Sequence, residues 1–322
     1  MRALVTGAAG FVGSWLVRAL AERGDEVHAL SLDAPVPGAL GTPAVPGAAA
    51  AAVRWHVGDV RDRAALGALL TGARPDVIFH LAGVSSVRAA ASDPVLACET
   101  NVIATVGLLE AAARLRDARV ADPVILVVGS SEQYGAHPPD EQPLTEDAEQ
   151  RPLTLYAATK CAQEVFARQA VRRDGLRVVC TRSFNHTGAG QSEHFLLPAL
   201  VRRALALPPA GGELHLGNLT PVRDVSHVSD VVRAYILLAE RGTPGDAYNV
   251  CSGHGHSVRE MAEAVLRRVG VEAGLLEDPA LVRPVDVPML VGSAARLRTI
   301  TGWEPRRTLD DCIDDLIHAA TR

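Results

Sequence analysis

The chain has 322 residues, 48% of them hydrophobic, and a formal net charge of -5. That length buries a large core and suits one big α/β unit carrying a smaller partner, and it excludes a disordered or fibrous chain. Arginines are scattered without a basic block, which excludes the electrostatic footprint of a nucleic-acid binder.

Met1 runs directly into an apolar strand pattern, leaving no room for a signal peptide, and no stretch is expected to span a membrane. The five cysteines (Cys98, Cys161, Cys180, Cys251 and Cys312) are odd in number, widely separated and free of any C-x-x-C pair. They read as reduced thiols, and a cytoplasmic location is expected.

In chain order, strand-like apolar runs fall at Ala3 to Thr6, Glu26 to Leu30, Val53 to Val57, Val77 to Leu81, Val124 to Val128 and Leu176 to Thr181, with helical patterns between them. The alternation predicts an α/β fold, a doubly wound parallel sheet of Rossmann type. Between the first strand and a helix beginning near Phe11, Gly7, Gly10 and Gly13 form G-x-x-G-x-x-G. Glycines there let the backbone approach a pyrophosphate whose charge the helix N-terminus stabilises, so Gly7, Gly10, Phe11, Val12 and Gly13 are assigned to a dinucleotide. Asp33, about twenty residues on, is placed to accept hydrogen bonds from the adenine ribose. Because a 2'-phosphate would be repelled there, NAD(H) is expected over NADP(H).

Residues 34 to 52 are rich in Pro, Gly and Ala and read as a long loop, with room for one helical turn. Asp59 and Val60 follow the third strand, beside the adenine edge; Leu81, Ala82 and Gly83 follow the fourth, beside the cofactor. A helix capped by Asp93 and Pro94 is expected to lay Cys98, Val102, Val106, Leu109 and Ala113 along the sheet. Beyond residue 183 the rhythm changes. We expect a Rossmann domain over 1–183 with a return segment near 224–245, and a smaller α/β substrate domain mainly over 184–322.

Ser130 closes the fifth strand at the sheet's carboxyl edge, where open α/β folds bind ligands. Tyr156 and Lys160 make Y-x-x-x-K, and a spacing of four puts both on one helix face. To exchange a proton near neutrality, a tyrosine of reference pKa near 10 must shift by about three units, roughly 4 kcal/mol. An ammonium at about 4 Å contributes about 4 kcal/mol at an effective dielectric of 20, so Lys160, aided by oxidised nicotinamide, is expected to supply the shift without a metal. Ser130 would hydrogen-bond the reacting oxygen. His254 and His256 lack a third ligand nearby and are not assigned to a metal. No G-x-S-x-G elbow supports hydrolysis.

These motifs resemble an extended short-chain dehydrogenase/reductase over nearly the whole chain. Gly129-Ser130-Ser131-Glu132-Gln133-Tyr134-Gly135, Phe184-Asn185-His186-Thr187-Gly188-Ala189-Gly190-Gln191, and Gly217-Asn218-Leu219 followed by Arg223-Asp224 are most similar to the GDP-mannose 4,6-dehydratase and GDP-4-keto-6-deoxymannose reductase branch. Val250-Cys251-Ser252-Gly253 and Gly302-Trp303-Glu304-Pro305 lean toward the reductase. The resemblance implies a nucleotide-sugar substrate and a homodimer joined through helices near 95–115 and 155–173. It implies Asn185 facing the sugar diphosphate, Arg223 and Arg283 holding its phosphates, and Asn218 near guanine. Glu132 joins Ser130, Tyr156 and Lys160 as a proton-transfer candidate, although reductases and dehydratases both carry a glutamate here.

Two positions depart from the pattern. Leu32-Asp33 stands where reductases of this branch often have an arginine for NADPH, and Ala189 replaces the proline of N-H-x-G-P, which is expected to loosen the loop beside the substrate. Three functions stay open: a 4-keto reductase using NAD(P)H, a 4,6-dehydratase or 4-epimerase that recycles its bound cofactor, and a nicotinamide-sensing regulator. The last can dispense with the tyrosine-lysine pair, which is present.

Overall fold

A computed structural model describes residues 1–34, 47–282 and 287–321. The six expected strands form as β1 (Arg2–Thr6), β2 (Glu26–Ser31), β3 (Val53–Val57), β4 (Val77–His80), β5 (Val124–Ser130) and β6 (Arg177–Ser183). They pair in parallel in the order β3-β2-β1-β4-β5-β6, and strand Ala247–Val250 adds a seventh parallel strand beside β6. Leu4, Val5, Ile78, Phe79, Ile125 and Leu126 are fully buried, as both faces of such a sheet must be. The strand order reverses between β1 and β4, so their carboxyl ends diverge around a crevice.

Helix Phe11–Glu22 crosses from β1 to β2 and packs against helix Val228–Arg241, which precedes the seventh strand. Of the loop over 34–52, Gly47–Ala50 forms one helical turn; positions 35–46 lie outside the described residues.

The run Pro94–Asp117 differs from expectation twice. By length and composition its 24 residues could cross a membrane, although no such stretch was expected; half of its most apolar window is buried within the protein. It packs on helices Arg63–Ala73 and Leu155–Asp174, as a core helix does. The buried face is shifted: Leu109 is buried and Ala113 packs against the core as expected, but Ala97, Asn101, Ala104, Thr105, Leu108, Ala111, Ala112 and Leu115 also point inward, while Cys98 is exposed and Val102 and Val106 are only half-buried. Small inward side chains let the helices approach closely, and a π-turn over Glu99–Ile103 rotates the faces on either side of it.

After β6 the chain builds a smaller layer. Strand Val222–His227 pairs in parallel with Asn185–Thr187 and Met289–Leu290 and antiparallel with Gly255–Ser257. Helices Leu196–Leu205, Val258–Val269 and Leu309–Ala320 form a separate core around Leu200, Val201, Val265, Ile313 and Leu316. Each such buried aliphatic contributes roughly 2 kcal/mol.

Candidate active site

The glycine loop fits a dinucleotide by its shape. Gly7 has φ +69°, and a Cβ on it would meet the Ala82 nitrogen at 2.8 Å. A Cβ on Gly13 would overlap the Gly7 carbonyl. Packing therefore requires both. Gly10 is exposed, and a Cβ there would touch only the Gly7 oxygen, so the space beyond it is open to a ligand. Gly10 also caps helix Phe11–Glu22 with no side-chain hydrogen bond and no acidic residue in the first turn, which leaves the positive helix end to an anion.

The other expected cofactor residues surround this loop. Asp33 is exposed just past β2, where its carbonyl accepts a hydrogen bond from the Ser31 hydroxyl at 2.5 Å. Asp59 follows β3, and both of its carboxylate oxygens accept from Arg61, whose guanidinium holds the carboxyl below its ordinary pKa. Val60 is buried. Leu81, Ala82 and Gly83 run past the end of β1, with the Ala82 N–H donating to the Thr6 hydroxyl at 3.2 Å.

At the carboxyl end of β5, Ser130 caps a short turn: Glu132 donates its N–H to the Ser130 hydroxyl, and Ser130 donates its own N–H to Gln133 Oε1 at 2.8 Å. Helix Leu155–Asp174, capped by Thr154, brings Tyr156 and Lys160 to the same place. The Ser130 side chain lies near enough to the Tyr156 phenol to favour its ionised form. Lys160 is buried; its Nζ donates to the Val128 carbonyl at 2.9 Å and lies 5.9 Å from the centre of the Tyr156 ring.

Burial dominates the electrostatics of the pair. Although Tyr156 keeps part of its surface open, burial pushes its phenol up to about 12, Glu132 adds to the rise, and the Ser130 hydrogen bond opposes it. Burial brings Lys160 down to about 8. The ammonium is anchored on Val128, and in the protein alone it does not offset the lost hydration of the phenol.

Sequence reasoning missed the polar frame behind this site. Buried Asn101 accepts the Val84 N–H at 2.7 Å and donates to the Thr159 hydroxyl at 2.9 Å. Buried His80 bridges Thr6 and Thr105 at 2.9 and 3.0 Å, and Gln163 donates to Thr105. Gln133 donates to Glu164, which pairs with buried Arg182. The only sequence signal was their type: polar residues on otherwise apolar faces.

On the substrate side, Asn185 pairs opposite Val225, so the register puts Asn185 and Arg223 on one face of the small sheet. Arg223 donates to the Val222 carbonyl at 2.9 Å. Asn218 closes a turn, its Oδ1 accepting from the Thr220 N–H and hydroxyl. Arg283 lies outside the described residues. Asp224, buried on the opposite face, accepts from the Ser252 and Gly253 N–H groups at 2.8 Å and fixes that loop.

Comparison with known proteins places this geometry. A family model described as GDP-mannose 4,6 dehydratase matches residues 4–316. GDP-6-deoxy-D-mannose reductase of Pseudomonas aeruginosa is 32% identical over 310 residues, covering 96% of this chain and 93% of the relative. A solved structure of RMD from Pseudomonas aeruginosa complexed with NADPH superposes with a TM-score of 0.83 at 28% identity over 100% of both chains. Thermus thermophilus UDP-glucose 4-epimerase complexed with NAD gives 0.84 at 30% identity, over 99% of this chain and 98% of that one. The chain is thus a nicotinamide-dependent nucleotide-sugar enzyme of the extended short-chain dehydrogenase/reductase type, and it belongs to the GDP-mannose 4,6-dehydratase family.

Proposed function

We propose that the protein reduces the 4-keto group of a GDP-4-keto-6-deoxy sugar. The observation that carries this reading is the match to GDP-6-deoxy-D-mannose reductase along 96% of the chain. The placement of Tyr156 supports it: the helix Leu155–Asp174 brings the phenol and Lys160 together at the carboxyl end of β5 beside Ser130, where a carbonyl oxygen can take a proton. Bound reduced nicotinamide supplies the hydride. Ser130 polarises the carbonyl, Tyr156 donates the proton to its oxygen, and Lys160 holds the ribose and stabilises the phenolate that remains. Gly7, Gly10 and Gly13 cradle the pyrophosphate, while Asn185, Arg223, Arg283 and Asn218 are assigned to the sugar nucleotide.

The Asp33 carboxylate at the end of β2 supports NAD(H) over NADP(H). A homodimer is supported by Val95, Ile103, Val165 and Phe166, which are 68, 58, 61 and 40% exposed on the helices over 94–117 and 155–174. All five cysteines are unpaired, which supports a reducing cytoplasm. A division of the chain near residue 183 into cofactor and substrate domains is proposed on the change from the large sheet to the small one.

Glu132 favours a second reading. It lies close enough to Tyr156 to raise the phenol's pKa, which suits proton transfer at the sugar ring in a 4,6-dehydratase. One experiment separates the two. A reductase consumes reduced nicotinamide stoichiometrically when GDP-4-keto-6-deoxymannose is added and leaves GDP-mannose unchanged, whereas a dehydratase converts GDP-mannose to a keto product without added reductant. Calorimetric titration with both cofactors tests the NAD preference; tighter binding of NADP(H) would refute it.

A further inference from the structure

The loop Asn185–Gln191 is tethered at Ala189, where a looser loop was expected. Ala189 donates its N–H to Asp315 Oδ2 at 2.7 Å, and its carbonyl accepts from Trp15 Nε1 at 3.0 Å. Asp315 lies on helix Leu309–Ala320 and Trp15 on helix Phe11–Glu22, so the loop is gripped from both layers of the molecule. The same Asp315 oxygen meets His227 Nε2 at 3.3 Å. His227 Nδ1 accepts from the Ser229 N–H at 3.1 Å, which leaves the ring proton on Nε2, pointing at Asp315. Trp15 packs edge-on against His227 with ring centres 5.6 Å apart.

Gly188 makes this approach possible. A Cβ there would meet Val228 Cγ1 at 2.7 Å and Asp315 Oδ2 at 3.2 Å. The loop is then closed internally, with the Thr187 hydroxyl donating to Gln191 Oε1 at 2.5 Å and Gln191 Nε2 donating to the His186 carbonyl at 2.9 Å. A proline at 189 would have no N–H to give. The alanine therefore replaces a stiff ring with a charge-assisted hydrogen bond, a strong kind of tether for its size.

We propose that Asp315 is a positioning residue for the sugar-nucleotide site, holding the Asn185–Gln191 loop through the Ala189 N–H so that Asn185 is presented to its ligand. The inference rests on the reading of Asn185 as a sugar-diphosphate contact. Asp315 itself touches no substrate in this scheme, so its loss acts on KM more than on kcat.

Two measurements test it. In the substrate-free protein, hydrogen exchange at the Ala189 amide should be slow; Asp315→Ala should speed it about tenfold or more, and Asp315→Asn, which keeps an acceptor, should restore most of the protection. That readout needs no turnover, so it stands or falls apart from the assigned reaction. In the keto-sugar assay, Asp315→Ala should raise KM about tenfold with kcat changed less than threefold and cofactor affinity unchanged. The same substitution made in an Ala189→Pro background should leave KM nearly where Ala189→Pro alone puts it, because the hydrogen bond is already gone. Unchanged exchange at Ala189 in Asp315→Ala, or a full tenfold KM effect in the proline background, would overturn the proposal.

Discussion

Removing the carboxylate of Glu164 tests whether the buried ion pair beneath Ser130 holds the site together. Glu164 Oε1 accepts from Arg182 Nη2 at 2.7 Å and forms an ion pair with Arg168 at 2.9 Å, while Oε2 accepts from Arg182 Nε and from Gln133 Nε2, each at 2.9 Å. Burial works against this charge, but Arg182, Arg168 and Gln133 more than offset it and leave the carboxyl below its ordinary pKa. Arg182 is itself buried, donating further to the Tyr134 hydroxyl and the Glu146 carbonyl. Glu164→Ala strands that guanidinium in the core, and loss of one partner of such a pair costs about 3–5 kcal/mol. For a chain of this size that is about 4–7 °C in Tm. Chemical denaturation of Glu164→Ala, Arg182→Met and the double variant measures it. The double variant should cost clearly less than the sum of the singles, because it buries no unpaired charge. A loss below about 1 kcal/mol for Glu164→Ala, or additive costs, would refute the reasoning. Since Gln133 joins Glu164 to the Ser130 N–H, the single variant should also lower kcat while leaving cofactor affinity unchanged.

Two further outcomes are expected. Tyr156→Phe should lower kcat by orders of magnitude with cofactor affinity nearly unchanged, since the phenol acts chiefly in the transition state; near-normal turnover in a steady-state assay would remove Tyr156 from the mechanism. His80, pushed down to about 3 by burial with Lys160 adding, has a folded pKa below its unfolded value near 6.5. The unfolded chain therefore binds the extra proton, and stability should fall as pH drops from about 6.5 toward 3, by up to about 1.4 kcal/mol per pH unit from this residue. Urea unfolding between pH 7 and 4 should show a shallower slope in His80→Gln, and equal slopes would count against it.

What was legible in the sequence was local. Strands buried on both faces read as continuous apolar runs, which is why β1, β2, β4, β5 and β6 could be located within a residue or two, and the edge strand β3 showed through its valines and tryptophan. The glycine loop and Y-x-x-x-K were equally visible, because each does its work within one turn of chain. The inward face of Pro94–Asp117 was not. Its Ala, Gly and Thr positions pack inside while Val95 and Ile103 face out, so hydropathy alone points to the wrong stripe. Asn101 and Val84 are 17 residues apart, Thr6 and His80 are 74 apart, and Ala189 and Asp315 are 126 apart. No periodicity reports such contacts. Spacing puts Lys160 on the right helix face but says nothing of the Val128 carbonyl, 32 residues away, that its ammonium bonds.

The loop assigned to the pyrophosphate and the loop assigned to the sugar are anchored on a single helix. Phe11, the first residue of helix Phe11–Glu22, stacks on His186 with ring planes within 9° and centres 6.1 Å apart, and Trp15, one turn later, holds the Ala189 carbonyl. The N-terminus of that helix is the end assigned to the cofactor's phosphates. Hydride transfer requires two carbons brought within van der Waals reach along a defined line, and a misplacement of about 1 Å can cost about a hundredfold in rate. If the two loops were carried on independent elements, their positional errors would add. Sharing one rigid helix makes most displacements common to both, and these leave the distance between cofactor and sugar unchanged.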